Sequence, residues 1–380
     1  MPDISSLRTP AVLIDRGRAV RNLDRMQAEA DARGVRLRPH TKTHKSPLIA
    51  QWQLDRGAVG ICCAKLGEAE VFADAGFTDI RLPYPLNPSN ADRVIALLDR
   101  TNLSFIVDHL AVAQQWSDAM TRAGRQVDIL VKIDVGFHRC GIDPDTRETL
   151  PFIKHVARLP GLRFKGLLSH AGQAYHAHSE DELTRMATAE AQTMGDLAER
   201  CKKSGLPVDE VSAGATPPAR FSMRQKAFTE YRPGNYVYFD RTQVALGAAS
   251  HDDCALTVLA TVVSKPDKHR IVLDSGSKTL TNDGARGFTP APGHGTVLRL
   301  VSGHSLSGEH TIDHDLVIER LSEEHATVRV LSKMTDLEPG DRVRIIPNHS
   351  CVVSNVVDCA WLVDGDTAEP LPIAARGRIT

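Results

Sequence analysis

The sequence predicts an α/β protein: an N-terminal (β/α)8 barrel of the TIM type, followed by a C-terminal antiparallel β domain. Over about the first 240 residues, short apolar runs alternate with longer amphipathic stretches, the pattern of parallel strands connected by helices. From about Cys254 onward the apolar runs are short and bounded by turn residues, which indicates antiparallel strands. A chain of 380 residues has room for both domains. A Rossmann sheet is less well supported, because no G-x-G-x-x-G follows the first predicted strand.

Eight strands are predicted for the barrel. They are Ala11–Ile14, Val35–Arg38, Val59–Cys63, Ile80–Pro83, Leu103–Val107, Val127–Ile133, Phe164–Leu168 and Glu210–Ser212. The helices predicted between them are Ala19–Arg33, Ser46–Arg56, Leu66–Ala75, Ala91–Arg100, Ala111–Ala123, Glu148–Leu159 and Asp181–Ser204. Eight such units in about 230 residues fit a closed barrel better than an open sheet.

The β domain is predicted from seven short strands. They are Leu256–Val263, Arg270–Leu273, Thr296–Val301, Asp315–Leu321, Ala326–Val330, Arg342–Ile346 and Ala360–Val363. No low-complexity linker separates the two parts, and the boundary is expected near Ala248–Asp253. We therefore expect residues 10–248 to form the barrel and residues 249–380 the β domain, to which the N-terminal segment could contribute.

The charge balance narrows the range of partners. The chain has 46 Lys and Arg against 47 Asp and Glu, which argues against a nucleic-acid surface or a polybasic membrane patch. No apolar run reaches 18 residues, and the N-terminus lacks the pattern of a secretory signal. The seven cysteines have no framework spacing, which favours a reducing, cytoplasmic location with thiols free to act as ligands.

A basic cluster, Arg38–Lys45, follows the second predicted strand, where a barrel places its chemistry. A lysine in a barrel mouth loses hydration, so its amine becomes neutral more readily and can form a Schiff base. Lys42 is such a candidate, and His40 in the same turn could transfer a proton or pack beside a bound ring. A solvated basic loop with a hydrogen-bonded core histidine is the alternative.

Two further loops after predicted strands carry candidate residues. In Gly136–Gly141 the glycines allow close approach of a ligand, and Arg139 could hold an anionic oxygen. The loop after Phe164–Leu168 offers His170 and Tyr175. The alternatives are a surface arginine in an ordinary loop and a structural histidine.

Two turns rich in small residues, Ser212–Pro217 and Pro233–Tyr236, could expose backbone N–H groups to a phosphate. They fall where the loops after the seventh and eighth barrel strands are expected, which is where such barrels often bind phosphate. Tight turns without a ligand are the alternative.

His349 and Cys351 are the strongest metal candidates. Two positions apart in extended chain, their side chains would point the same way. An imidazole and a thiolate suit Zn²⁺, and two protein ligands leave positions for water and substrate oxygens. A buried histidine beside an inert thiol is the alternative. His304 and Glu309–His310 could be loop residues or could contribute to the same cleft.

Four segments together resemble the D-threonine aldolase and D-serine dehydratase family. They are Pro39–Lys45, Ser212–Pro217, Pro233–Tyr236 and Asn348–Cys351, in that order along the chain. The resemblance extends from about Thr9 to Arg376. It implies a pyridoxal-phosphate enzyme of fold type III, with the architecture of alanine racemase.

The resemblance also implies roles for individual residues. Lys42, and not Lys45, would be the lysine that forms a Schiff base with the cofactor. The phosphate cradle would consist of Gly214, Ala215, Thr216, Gly234, Asn235 and Tyr236. His349 and Cys351 would be the metal ligands. His170 and Tyr175 would line the active site with His40, and Arg139 would lie in the cofactor pocket.

The implied activity is a metal-assisted lyase acting on small β-hydroxy-D-amino acids, in a cytoplasmic homodimer without nucleic-acid or membrane partners. We expect retro-aldol cleavage of D-threonine-type substrates to glycine and an aldehyde, because Asp274–Thr279 and Val352–Asn355 look closer to the aldolase branch. Cys351, where many of the aldolases have Asp, resembles the branch of D-serine and 3-hydroxy-D-aspartate dehydratases, which yield a 2-oxo acid and ammonia. The thiolate favours Zn²⁺ over Mn²⁺ or Mg²⁺. An amino-acid racemase and a non-catalytic pyridoxal-phosphate carrier are further alternatives.

Overall fold

A computed structural model describes residues 2–300, 310–332 and 334–380. They form two compact units. The barrel unit comprises Arg25–Lys42, Pro47–Gly234 and Gly377–Thr380. The β unit comprises the described parts of Met1–Asp24, Thr43–Ser46 and Asn235–Arg376. No helix among the described residues is both long and apolar enough to cross a membrane.

Seventeen strands are present in the described residues. In chain order they are β1 Ala11–Asp15, β2 Arg36–Leu37, β3 Ile61–Cys62, β4 Asp79–Pro85, β5 Asn102–Val107, β6 Val127–Lys132, β7 Leu162–Leu168, β8 Glu210–Ala213, β9 Glu230–Tyr231, β10 Leu256–Asp267, β11 Arg270–Leu273, β12 Thr296–Leu300, β13 His310–Leu321, β14 Ala326–Val330, β15 Arg342–Ile346, β16 Cys359–Asp364 and β17 Thr367–Pro372.

Eleven α-helices are present in the same residues. They are α1 Arg16–Arg33, α2 Pro47–Leu54, α3 Leu66–Asp74, α4 Ala91–Leu98, α5 Leu110–Arg122, α6 Thr149–Val156, α7 Glu180–Lys203, α8 Ala219–Ser222, α9 Arg241–Ala245, α10 Ser277–Leu280 and α11 Ser350–Asn355. Short 3₁₀ turns occur at Thr41–Thr43, Gly172–His176 and Asn235–Val237, among other places.

The barrel unit contains eight parallel strands in the order β2-β9-β8-β7-β6-β5-β4-β3. An isolated parallel bridge between His40 and Cys62 joins the segment after β2 to β3, the two ends of that order. The Cys62 amide donates to the Pro39 carbonyl at 2.8 Å across this bridge. The predicted (β/α)8 barrel is therefore confirmed.

The first barrel strand was wrongly predicted. Ala11–Ile14 forms part of β1, which pairs antiparallel with β10 and parallel with β16 in the other unit. The eighth barrel strand is β9, only two residues long, with Leu37 opposite Tyr231. Because Ala11–Ile14 is buried along its whole length, its apolar pattern is the same in either sheet.

Charged side chains are buried inside the barrel around Glu230, which is fully buried. Arg38 Nε donates to its carboxylate at 2.7 Å and Arg81 Nη1 at 2.5 Å. Burial raises the pKa of Glu230, but the two guanidinium groups outweigh that effect and lower it to about 2. The carboxylate therefore stays charged and links β9 to β4 and to the segment that directly follows β2.

The β unit is built on a nine-stranded sheet in the order β11-β14-β13-β12-β15-β10-β1-β16-β17, with a further pairing of β11 to β10. Every pairing in it is antiparallel except that of β1 with β16. Its interior is apolar, with Val258, Leu259 and Ile345 fully buried. The predicted antiparallel β domain is confirmed, and its last predicted strand is followed by a further one, β17.

Candidate active site

Lys42 lies in the 3₁₀ turn that directly follows barrel strand β2, and its side chain is exposed. Its backbone N–H donates to His40 Nδ1 at 3.3 Å, so His40 fixes the turn and carries its own proton on Nε2 when neutral. Lys45 differs, because it is only 7% exposed and its Nζ donates to the Ala375 carbonyl at 3.5 Å. Lys42 is the accessible amine of the predicted basic cluster.

His170 follows barrel strand β7 and is held by a hydrogen bond from Nδ1 to the Gly214 carbonyl. This bond places its proton on Nδ1 and leaves Nε2 as an acceptor. Burial, and next the charge of Lys42, keep the pKa of His170 well below its usual range. His170 is therefore a neutral imidazole with one basic nitrogen at neutral pH.

Arg139 and Tyr175 lie in the loops after β6 and β7. The Arg139 side chain is exposed and its guanidinium lies 5.3 Å from the centre of the Phe137 ring. The same ring meets the His170 imidazole edge to face at 6.1 Å. Tyr175, in the turn Gly172–His176, is half-buried. Phe137 thus places Arg139 and His170 on the same side of the barrel.

The turn after the seventh barrel strand, β8, has the features of an anion site. Gly214, Ala215 and Thr216 are all buried. The Gly214 carbonyl accepts from His170, and the Ala215 carbonyl accepts from the Tyr231 hydroxyl at 2.8 Å. The Thr216 hydroxyl is buried and has no hydrogen-bond partner among the described residues. A buried hydroxyl without an acceptor suits a phosphate oxygen, so this turn fits the predicted cradle.

The second predicted cradle segment contacts Cys351 through the side chain of Asn235. Gly234, Asn235 and Tyr236 are buried, but the Asn235 amide points to other protein groups. Its Nδ2 donates to Asp240 at 2.6 Å and lies 3.5 Å from the Cys351 sulfur. The Asn235 side chain is thus part of the surroundings of Cys351, which leaves the backbone of this segment for a phosphate.

His349 and Cys351 come together, although not in the way the sequence predicts. His349 is the extended residue at the N-terminal cap of α11, and Cys351 lies in the first turn of that helix. The extended-chain geometry was therefore wrong. The two side chains still hydrogen-bond each other, and His349 Nδ1 lies 2.5 Å from Asp283 Oδ2. Burial lowers the pKa of His349, but the Cys351 sulfur and Asp283 outweigh it and raise it to about 10.

This environment fits a divalent cation. A raised histidine pKa means that the surroundings stabilise positive charge, which a metal ion could supply in place of the proton. The described residues contain no group of three or more His, Cys, Asp or Glu side chains placed to share a metal ion. A site here would have two protein ligands and open positions, and an open position distinguishes catalytic zinc sites from structural ones.

Thr43 was missed in the sequence, and it links the two predicted clusters. Its hydroxyl lies 3.2 Å from the Cys351 sulfur. Thr43 is the residue after Lys42, and a hydroxyl one position from a candidate lysine carries no signal of its own in the sequence.

A buried polar group inside the barrel was also missed. Arg232 donates to the Ser212 hydroxyl and to the Ser169 carbonyl, each at 2.7 Å, and Ser169 donates to Glu190 at 2.6 Å. Lys132, at the end of β6, is nearly fully buried, and burial lowers its pKa to about 8. A lysine ending the apolar run Val127–Lys132 was the available signal. His304 and Glu309 lie outside the described residues.

Comparison with protein-family models finds two adjacent matches. Residues 14–242 match the alanine racemase N-terminal domain, and residues 255–363 match a putative serine dehydratase domain. Together the two matches cover most of the chain.

Comparison with curated proteins finds relatives along almost the whole chain. The D-threo-3-hydroxyaspartate dehydratase of a Delftia species is 35% identical over 353 residues, which is 91% of either chain. The D-threonine aldolase of an Arthrobacter species is 32% identical, covering 98% of this chain and 94% of its own.

Solved structures are also similar to this chain over almost its whole length. The Delftia dehydratase matches with a TM-score of 0.89 at 32% identity, covering 98% of this chain and 99% of its own. Its solved forms include a cysteine-to-alanine mutant in the metal-free form and a histidine-to-alanine mutant. The two mutated positions are two residues apart, the spacing of His349 and Cys351.

Proposed function

This chain belongs to the pyridoxal-phosphate-dependent lyase family of the D-threonine aldolases and D-serine dehydratases, and we propose that its substrates are β-hydroxy-D-amino acids. The observation that carries the proposal is the contact between Thr43 and Cys351 at 3.2 Å. Thr43 is the residue after Lys42, so the residue that follows the candidate cofactor lysine in the chain contacts a candidate metal ligand.

The proposal includes a cofactor, pyridoxal phosphate, and a divalent metal ion. Pyridoxal phosphate would be held by Lys42 and by the turn of Thr216, with the backbone of Gly234–Tyr236, and it withdraws electrons from bonds at the substrate α-carbon. His40, Tyr175 and Arg139 would contact its ring and oxygens. A divalent metal would be held by His349 and Cys351, and it acts as a Lewis acid on the β-oxygen of the substrate. The thiolate favours Zn²⁺ over Mn²⁺ or Mg²⁺.

Two side chains, those of Lys42 and His170, would carry out the proton transfers to and from the substrate. The Lys42 amine would remove or return a proton at the substrate α-carbon. In cleavage, His170, neutral and with Nε2 as an acceptor, would take the proton of the β-hydroxyl, and Lys42 would return a proton to the α-carbon. In dehydration, Lys42 would take the α-proton, and the β-hydroxyl would leave as hydroxide or water. His40, which is fixed by the Lys42 backbone, would keep the turn in place while the Lys42 side chain moves.

Dehydration to a 2-oxo acid and ammonia is the outcome that Cys351 favours. The support is its spacing from His349, which matches that of the two mutated residues in the Delftia dehydratase. Retro-aldol cleavage to glycine and an aldehyde is the second candidate. The support for it is the Arthrobacter aldolase, which is 32% identical over nearly the whole chain.

Product analysis tests the proposal. The purified protein, supplied with pyridoxal phosphate and Zn²⁺, is incubated with D-threonine, D-serine and D-threo-3-hydroxyaspartate. A 2-oxo acid with ammonia supports dehydration, and glycine with an aldehyde supports cleavage. Interconversion of enantiomers without either product would contradict the lyase proposal and favour a racemase.

We also propose that the protein works in the cytoplasm as a homodimer. The chain has seven cysteines without the spacing of a disulfide framework, which favours a reducing compartment. Light scattering of the purified protein would test the dimer, and a monomer at working concentration would contradict it.

A further inference from the structure

Asp283 contacts the proposed metal ligand from a segment between α10 and β12. Its Oδ2 lies 2.5 Å from His349 Nδ1, and both side chains are about one-third exposed, at 34% and 35%. Nothing in the sequence set Asp283 apart from other loop aspartates. The contact uses the ring nitrogen of His349 that is nearer to the backbone, and it leaves Nε2 free of this carboxylate.

The backbone of Asp283 is fixed from the same segment that carries His349. The side-chain Nδ2 of Asn348, the residue before His349, donates to the backbone carbonyl of Asp283 at 2.9 Å and to that of Gly293 at 3.1 Å. Arg241 in turn donates from Nη1 to Asn348 Oδ1 at 3.1 Å. Asn348 is only 2% exposed. The carboxylate and the imidazole therefore keep their relative positions through both a side-chain and a backbone bond.

We propose that Asp283 is a positioning residue, which keeps the proton of His349 on Nδ1 and directs Nε2 to a divalent metal. This rests on the proposed function. Histidine ligands commonly donate their second ring N–H to a carboxylate, which sets the ring orientation and strengthens the ligand. Because Asp283 Oδ2 accepts from His349 Nδ1, and no three His, Cys, Asp or Glu side chains among the described residues are placed to share a metal ion, Asp283 acts through His349 and not as a third ligand.

Metal affinity tests the role directly, without measuring turnover. Zn²⁺ dissociation constants are measured on the holoenzyme by competition with a chromophoric chelator, for the wild type, Asp283→Ala, Asp283→Asn and His349→Ala. Asp283→Ala should bind Zn²⁺ about 10- to 100-fold more weakly. Asp283→Asn keeps an oxygen that accepts from Nδ1, so its loss should be smaller. Asn282→Ala, an exposed neighbour, is the matched control and should bind as the wild type does.

The Co²⁺-loaded protein gives a second readout. The thiolate-to-cobalt absorption reports Cys351, and it should persist in both Asp283 variants, while His349→Ala changes the ligand set. An Asp283→Ala variant that binds Zn²⁺ as tightly as the wild type overturns the inference. So does an Asp283→Asn loss as large as that of His349→Ala, because that result would make Asp283 a ligand. A wild type that binds no Zn²⁺ would instead overturn the metal site of the proposed function.

Discussion

The Thr43 hydroxyl lies 3.2 Å from the sulfur of Cys351, a residue more than 300 positions later in the chain. Thr43 follows Lys42, so the backbone that carries the candidate cofactor lysine continues into a contact with the candidate metal ligand. A hydroxyl next to a thiolate can donate a hydrogen bond to it and stabilise its charge.

Replacing Thr43 should weaken metal binding. Thr43→Val keeps the shape but removes the donor, and a hydrogen bond to a charged group contributes roughly 1.5–3 kcal/mol. We expect Zn²⁺ affinity to fall about tenfold or more, since 1.4 kcal/mol is a factor of ten. Thr43→Ser retains the hydroxyl and should bind nearly as the wild type does. Equal chelator competition by the Val and Ser variants would show that the hydroxyl does not act on Cys351.

Lys42 and Lys45 should differ in their effect on the cofactor. Lys42→Ala should abolish the visible absorbance of the bound cofactor, because the exposed amine that would hold it is lost. Lys45→Ala should keep that absorbance, because the Lys45 amine is buried and bonded to the Ala375 carbonyl. Absorbance spectra of the two purified variants check this. Loss of the band in Lys45→Ala alone would reverse the assignment.

The loss of kcat on the acid side of the pH profile, the acid limb, should be centred well below pH 6.5. Burial and the charge of Lys42 lower the pKa of His170, so the imidazole stays neutral as pH falls through the usual histidine range. Arg139 also lowers this pKa, so Arg139→Gln should move the limb towards higher pH. The measurement is kcat against pH for both proteins. A wild-type inflection at pH 6.5 would mean that His170 is not the base.

Glu230→Gln should destabilise the barrel. The change leaves Arg38 and Arg81 with less negative charge in a buried site, and breaking such a pair typically costs about 3–5 kcal/mol. Because folding depresses the pKa of Glu230 from 4.5 to about 2, its stabilisation is complete above pH 4.5 and is lost as pH falls towards 2.

Denaturant unfolding at several pH values checks this. The difference between wild type and Glu230→Gln should shrink as pH falls. Glu199→Gln removes an exposed pair with Lys202 and should change the unfolding free energy little. A Glu230→Gln variant as stable as this control would contradict the role of Glu230.

The alternation of apolar runs and helices was enough to predict the barrel and the β domain. This pattern could not show which sheet contains Ala11–Ile14, because a fully buried strand has the same apolar sequence in a parallel or an antiparallel sheet. The same pattern also missed β9, which consists of only two residues, Glu230 and Tyr231, one of them a charged residue in buried ion pairs.

The sequence predicted a basic turn after a barrel strand, and the structure has Lys42 in the turn after β2. The role of Lys42 as the cofactor lysine stays a prediction. The residues that contact the candidate metal ligands from distant parts of the chain could not be predicted. Asp283 contacts His349, and Thr43 contacts Cys351, only in the folded chain. No local spacing in the sequence marks either residue. The side chain of Asn235 likewise hydrogen-bonds to Asp240, a contact that the sequence did not predict.

In the proposed function, a metal ion at His349 and Cys351 takes part in the chemistry at Lys42. The most direct measurement is turnover of D-threo-3-hydroxyaspartate, D-serine and D-threonine after chelation and again after adding Zn²⁺, with cofactor absorbance recorded throughout. We predict that chelation abolishes product release while the absorbance remains, and that Zn²⁺ restores turnover in the wild type but not in Cys351→Ala. Full turnover by the chelated wild type would contradict the account.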